Sequence, residues 1–297
     1  MNIPLVSAQQ GKQISKKSKV SSSGQKMTLK KKTAVDVGTP SKIETKVASE
    51  APTEKKQFGL KLSAKIYTAA KDNEEGFKDQ WIDYALTPSW QFTDRLTLSG
   101  SVLVSQSLNG EKKTDVLEAV MPLSYKGWFF SEKIYTRHML VGVFPAYQKS
   151  RDLDKYQGGL RIGNGLIAML DPLSLSYSFS VQRNFHRIDQ IESADPIARE
   201  NTLLQWQLRH RFDASLNFTE NFQTGLAFVY IEGFSYGEDR PHLFSSDLSF
   251  DYQFTDVFSA AIGVTNDASA FKENNSSNTR LFDDKTSAFY LGGGLKF

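Results

Sequence analysis

The run Leu173-Ser174-Leu175-Ser176-Tyr177-Ser178-Phe179-Ser180-Val181-Gln182 decides the fold. Odd positions are apolar or aromatic, and even positions are serine or glutamine. A period of two places the two sets on opposite faces of an extended strand; a helix would scatter both around its circumference. One face of this strand meets apolar surroundings and the other a polar space.

The same alternation extends in both directions. Downstream, Leu204, Trp206, Leu208, Phe212, Ala214, Leu216 and Phe218 alternate with Gln205, Gln207, Arg209, Arg211 and Asp213. Upstream, Leu96, Leu98, Gly100, Val102 and Val104 alternate with Thr97, Ser99, Ser101 and Ser105, and Phe58, Leu60, Leu62, Ala64 and Ile66 with Gly59, Lys61, Ser63, Lys65 and Tyr67. Such runs predict twelve strands, near 57–69, 80–92, 95–108, 115–125, 134–147, 156–170, 172–186, 201–218, 221–231, 242–254, 257–266 and 285–297. A soluble β-sandwich also has period two, but strands this long are rare in one, and its outer face would not stay so aromatic.

The connections alternate as well. Three tight turns read alike: Phe92-Thr93-Asp94-Arg95-Leu96, Phe218-Thr219-Glu220-Asn221-Phe222 and Phe254-Thr255-Asp256-Val257-Phe258, with Asp171-Pro172 as a fourth. Each puts a polar corner between apolar anchors. The connections 70–79, 109–114, 148–155, 187–200, 232–241 and 267–284 are longer and polar. Short turns at one end and long loops at the other predict an all-β, antiparallel, up-and-down transmembrane barrel spanning 57–297. Closure lets every backbone N–H and C=O be satisfied without water. Trp90 and the run Trp128-Phe129-Phe130 fall near the short turns, where an aromatic girdle belongs.

Residues 1–56 are different in kind. They hold 12 lysines against Asp36, Glu44, Glu50 and Glu54, a net of +8 in a chain of net +3, and none of the 36 aromatic residues. Such a composition buries too little apolar surface to offset its ordering entropy, so a disordered basic tail is expected. Ile3-Pro4-Leu5-Val6-Ser7-Ala8 has the small-residue ending of an export signal, read as a remnant at 1–8. Without aromatics among the lysines, a nucleic-acid stacking surface is not expected. With no cysteine, thiol chemistry and disulfides are excluded.

The last strand alternates Phe289, Leu291, Gly293, Leu295 and Phe297, with Gly292 five residues before the end. Glycine, two spacers, a hydrophobe, any residue and a terminal aromatic resemble the C-terminal recognition signal of Gram-negative outer-membrane β-barrels, the porin-like proteins among them. Gly292, Leu295 and Phe297 match; Leu291 departs, since that family usually has a polar residue there. The resemblance implies an outer-membrane protein, surrounded by outer-membrane lipid, inserted by the barrel assembly machinery, with periplasmic termini.

By parity, Lys61, Lys65, Arg161, Arg209 and Arg211, with Asp83, Glu118, Asp213, Asp247 and Asp251, point into the lumen, where they line or plug it. Their near balance of sign argues against a pore selective for acidic solutes, which needs a basic surplus. Two segments, Met139-Leu140-Val141-Gly142-Val143-Phe144 and Gly165-Leu166-Ile167-Ala168-Met169-Leu170, are apolar on both faces. Either the lumen closes there by packing, or Met139, Val141, Val143, Phe144, Leu166, Ile167 and Met169 belong to a wall that meets lipid or another protomer, in a trimer or larger ring. His210 lies on the lipid-facing parity, which is costly near the bilayer midplane.

Catalytic signals are weak. His186 lies near Asp189 and Glu192, but none of the four histidines stands in a His-x-Ser arrangement like that of the outer-membrane phospholipases. Asp283-Asp284 and Asn274-Asn275 lack EF-hand spacing. No catalytic residue, metal or cofactor is assigned. The expected function is passive diffusion of small polar solutes; the alternative is a non-conducting, membrane-organising oligomer that contacts or encloses lipid, with a lipid-modifying enzyme behind both.

Overall fold

The computed structural model describes residues 57–72, 78–109, 113–146, 155–187, 203–236, 240–271 and 277–297. The basic segment 1–56 with its signal remnant, and Asp189, Glu192, Asn274 and Asn275, lie outside them. Among the described residues, no helix is long and apolar enough to cross a membrane. The alternating runs instead form strands β1 (Phe58–Asp72), β2 (Lys78–Gln91), β3 (Leu96–Ser99), β4 (Ser101–Ser107), β5 (Thr114–Ser131), β6 (Ile134–Phe144) and β7 (Tyr156–Leu170). These are followed by β8 (Leu173–His186), β9 (Leu204–Asn217), β10 (Phe222–Ser235), β11 (His242–Gln253), β12 (Phe258–Ser269) and β13 (Ser287–Lys296).

Neighbours in sequence pair antiparallel, and β1 closes on β13 from Lys61↔Lys296 to Ala69↔Ala288. Backbone bonds between Leu60 and Phe297, at 3.2 and 2.9 Å, extend the seam to the short-turn rim. β3 and β4 make one stave, since both are flanked by β2 and β5. The barrel therefore has the expected twelve staves. The break at Gly100 has a cause on β2: Gly100 N–H donates to the Pro88 carbonyl at 2.9 Å, and Pro88 has no N–H to return.

The main departure from the sequence expectation is β5, which runs to Ser131 instead of ending near 125. Register shifts between Lys126 and Phe129 and again before Ser131 break the alternation that marked the strand. Bulges of this kind let an extra residue loop out, so Trp128-Phe129-Phe130 no longer reads as period two. All three aromatic side chains are exposed at the rim next to the 132–133 turn.

The three similar turns share one mechanism. Thr93 Oγ1 accepts from Arg95 and Leu96 N–H at 3.2 and 3.0 Å. Thr219 accepts from Asn221 and Phe222 at 3.3 and 3.0 Å. Thr255 accepts from Val257 and Phe258 at 3.3 and 3.0 Å. Ser131 does the same for Lys133 and Ile134 at 3.3 and 3.1 Å. A short side-chain acceptor thus satisfies the donors that a two-strand turn leaves over.

β8 has 14 residues. At roughly 3.3 Å per residue and about 40° tilt it rises about 35 Å, enough for the roughly 25 Å apolar band of an outer-membrane barrel. Ile66, Leu140, Ile162, Tyr177, Ile262 and Leu291 are exposed on the outside of the wall. In water such a surface would be an aggregation hazard, and in a bilayer it is the matching solvent.

Replacing Thr93, Thr219 or Thr255 by Val should lower stability by about 1 kcal/mol each, the net worth of such hydrogen bonds. The turns are separate, so the triple variant should lose close to the sum. Urea unfolding of the barrel in lipid vesicles checks this; unchanged midpoints would show that the turns do not depend on their threonines.

Candidate functional site

The registers turn one face of every stave inward. On β8 the inward column is Ser174, Ser176, Ser178, Ser180, Gln182 and Asn184, all but Ser176 and Ser178 buried. All ten charged residues assigned inward by parity lie on this face: Lys61, Lys65, Asp83, Glu118, Arg161, Arg209, Arg211, Asp213, Asp247 and Asp251. The structure gathers most of them into three clusters.

The first spans the seam. Lys65 Nζ lies 3.9 Å from Asp247 Oδ2 and 3.9 Å from the centroid of the Tyr290 ring. Tyr290 O–H donates to Asp247 Oδ1 at 3.0 Å. The Tyr290 side chain reaches Asp247 by lying over Gly263, where an added Cβ would meet the Tyr290 hydroxyl oxygen at 2.5 Å. Gly292 makes similar room, with Lys65 Cγ 2.9 Å from the position of an added Cβ. Ser249 Oγ donates to Asp251 Oδ2 at 2.8 Å on the same wall.

The second cluster joins β5, β7 and β8. Arg161 Nη2 lies 3.8 Å from Glu118 Oε1, and its Nε donates to Gln182 Oε1 at 2.8 Å. Gln182 Nε2 donates to Asn184 Oδ1 at 2.7 Å, and Asn184 Nδ2 to the Leu204 carbonyl at 3.0 Å. The third is local: Arg211 Nη2 meets Asp213 Oδ1 at 2.7 Å, its Nε adds bonds at 2.9 Å, and Ser176 Oγ donates to Asp213 Oδ2 at 3.1 Å. Arg209 sits one inward step from Arg211, between Ser180 and Ile231, and Lys61 faces Thr87 and Lys296.

Around twelve staves, β7 lies opposite β13, β8 opposite β1 and β9 opposite β2. The arginines of β7 and β9 therefore look across the lumen at the wall that holds Tyr290 and Asp83, and the serines of β8 look at Lys61 and Lys65. The balance of sign read from the sequence is uneven in space: the three arginines lie on one side, and Lys61 and Lys65 share the other with most of the aspartates.

Sequence reasoning placed Tyr67 and Gln182 on the polar face without giving them a role, and missed Trp81, Tyr290 and Asn184. The signal for Tyr290 was a lone aromatic at polar parity next to Gly292 and Gly294, a large ring filling the space that glycines leave.

The apolar wall divides. Met139, Val141, Val143, Ile167 and Met169 point inward, and Val141 and Ile167 are only 4% and 3% exposed. Phe144 and Leu166 point outward with Leu140 and are exposed. On the inside, Val143 is the register partner of the buried Val120 on β5. Any contact with lipid or another barrel through this wall therefore falls to the outward set.

The outside carries polar groups in partnered form. His210 shares a 2.8 Å hydrogen bond with Tyr177 on the neighbouring stave, which answers the cost its parity implied. His138 is held between Asn164 at 2.6 Å and Thr136 at 3.3 Å, and His242 by Tyr230 at 2.8 Å. Ser246 and Asn266, outward and fully buried, are covered by residues 280–286: Asn266 Nδ2 donates to the Arg280 carbonyl at 2.8 Å, and Thr286 Oγ1 donates to Asn266 Oδ1 at 2.6 Å. Asp283 faces Arg280 at 3.3 Å. No cluster of metal-ligating residues occurs among the described residues.

A closed transmembrane β-barrel with a polar interior is the class of protein that this fold defines, and solved structures show the same architecture. The NanC porin superposes with a TM-score of 0.53 at 9% identity, covering 80% of this chain and 100% of that one. The outer membrane channel COG4313 from Pseudomonas putida F1 gives 0.52 at 11%, covering 81% and 95%. The KdgM porin gives 0.50 at 10%, covering 80% and 99%. The chain thus has the fold of outer-membrane porins. No family model and no curated protein matches the sequence.

Arg161→Met should destabilise the barrel by about 2 kcal/mol, less than the roughly 3–5 kcal/mol for breaking a fully buried pair, because the two side chains keep 11% and 16% exposure. Adding Glu118→Gln should recover much of that loss by removing the stranded charge. The temperature at which the compact band is lost on a gel reads both; equal loss in the single and double variants would deny the coupling.

Proposed function

We propose that this chain is an outer-membrane channel of a Gram-negative bacterium through which small polar solutes diffuse passively. The observation that carries this reading is the unbroken inward column Ser174, Ser176, Ser178, Ser180, Gln182 and Asn184 facing Lys61 and Lys65 across a closed barrel. A lumen wall of hydroxyls, amides and opposed charges solvates polar solutes and rejects apolar ones. The porin fold of the neighbours supports the same reading. In it, the short turns and both termini face the periplasm, the basic segment 1–56 extends there as a separate region, and Gly292, Leu295 and Phe297 serve as the signal for the barrel assembly machinery.

The site is read as non-catalytic. His138, His210 and His242 direct ring nitrogens to Asn164, Tyr177 and Tyr230 on the outer face. None of these contacts forms the nucleophile-base relation that hydrolysis requires.

A second reading draws on the inward apolar patch. Val120, Val141 and Ile167, with Val229 and Ile231 on β10, are buried on the lumen side. Such packing suits a closed, membrane-organising barrel that associates with copies of itself through the outward Phe144 and Leu166.

Planar-bilayer conductance of purified protein separates the two. Stable unit steps are expected, with a shift toward cation selectivity in Arg209→Gln/Arg211→Gln as positive charge leaves one wall. Silence from protein shown to be inserted would remove the channel reading. Cross-linking in detergent then tests association: a ladder of multimers that Phe144→Ala/Leu166→Ala abolishes supports the second reading, and a monomer ends it.

A further inference from the structure

The wall at the seam contains more than a salt bridge. Across β11, β12, β13, β1 and β2, the inward positions include Asp247, Asp267, Tyr290, Tyr67, Trp81 and Asp83. The Tyr67 and Trp81 rings stack at 5.0 Å with planes 4° apart, and Tyr67 tilts against Tyr290 at 5.4 Å. Asp83 is the register partner of Lys65, Asp247 accepts from Tyr290 O–H, and Asp267 points inward on β12 beside β13, so three carboxylates share the wall that holds these rings. Ring faces beside carboxylates are an environment for an ammonium group, which both the ring quadrupole and the negative charge attract.

One ammonium is already there. Lys65 Nζ sits over the Tyr290 ring and within 3.9 Å of Asp247. A second, independent feature indicates capacity for more. Ser245 points inward as the register partner of Asp267, two residues from Asp247. It is 0% exposed, and its Oγ has no hydrogen-bond partner among the described residues. A buried hydroxyl without a partner is costly. With two carboxylates beside it to accept its O–H, its lone pairs are open to a positively charged donor.

We propose that this box binds a primary ammonium group in addition to Lys65, whose tethered amine competes for it, so that amine-bearing solutes are those the lumen retains. The inference rests on the polar-lumen reading but not on conduction. The ammonium has two sources, a soluble amine or one of the 12 lysines of residues 1–56.

The test titrates putrescine into the full chain in detergent at constant ionic strength. The readout is the part of the tryptophan fluorescence that Trp81→Phe removes. A saturable change is expected, lost in Asp247→Asn and in Asp267→Asn. In Lys65→Met, half-saturation should come at about tenfold lower concentration, since a competing unit charge is removed at about 4 Å. Heat-modifiable gel migration confirms that each variant is folded, and the two aspartate variants guard against one that is not.

A response that appears only when Lys16, Lys17, Lys19, Lys30, Lys31 and Lys32 are all changed to Gln also supports the box and assigns its ligand to the chain's own lysines. No response in either protein, or a response indifferent to Asp247 and Asp267, overturns the proposal. Because the readout needs no current, a silent bilayer with saturable binding removes the channel reading alone, and conductance without binding removes this one alone.

Discussion

Every peptide group that crosses a bilayer must find its hydrogen-bond partner within the protein, because hydrocarbon offers none. Here the last groups to be met are those of β1, and the ladder to β13 meets them. Without that seam both strands would present open edges to lipid. The pairing of Leu60 with Phe297 at one rim follows from this constraint, and closure with every pair antiparallel requires the even stave count. Closure also explains why local irregularities are tolerated: the stave broken at Gly100 and the bulged end of β5 still have neighbours on both sides.

Closure has a second consequence, on the interior. The staves present alternate residues to a confined space, and what fills it depends on which residues oppose one another. Glycines on β12 and β13 leave room that Tyr290 and Lys65 occupy, bringing Asp247 within reach of both. On β5, β6 and β7 apolar inward residues gather around Val141 and Ile167, beside the Arg161–Glu118 pair. The lumen is thus uneven: serines and charges on some staves, aliphatic packing on others.

Polarity on the outer face is handled in two ways. His138, His210 and His242 lie on staves that expose their side chains to the surroundings of the barrel, and each is engaged by a hydroxyl or amide of the same face. Near the loop end, Ser246 and Asn266 are instead sheltered by the backbone of residues 280 and 281 and by Thr286. Both arrangements satisfy a polar group internally, the condition that a low-dielectric solvent imposes.

Contiguous residues alone specify the twelve staves, the two faces of each and the threonine-cornered turns, and they put the ten charges on one of those faces. These are local properties: a two-residue period and a four-residue turn are written in contiguous residues. The sequence did not reveal that β5 continues through Trp128-Phe129-Phe130, because bulges erase the period on which the reading depends. Nor did it show that His210 is met by Tyr177, or that most of the two-sided apolar wall faces inward. Tertiary structure alone decided that Lys65, Asp247 and Tyr290 form one cluster while Arg161 pairs with Glu118 and Gln182. Those partners come from different staves, and which residues stand level is set by the accumulated register around the closed ring, a quantity that no single segment of the chain contains.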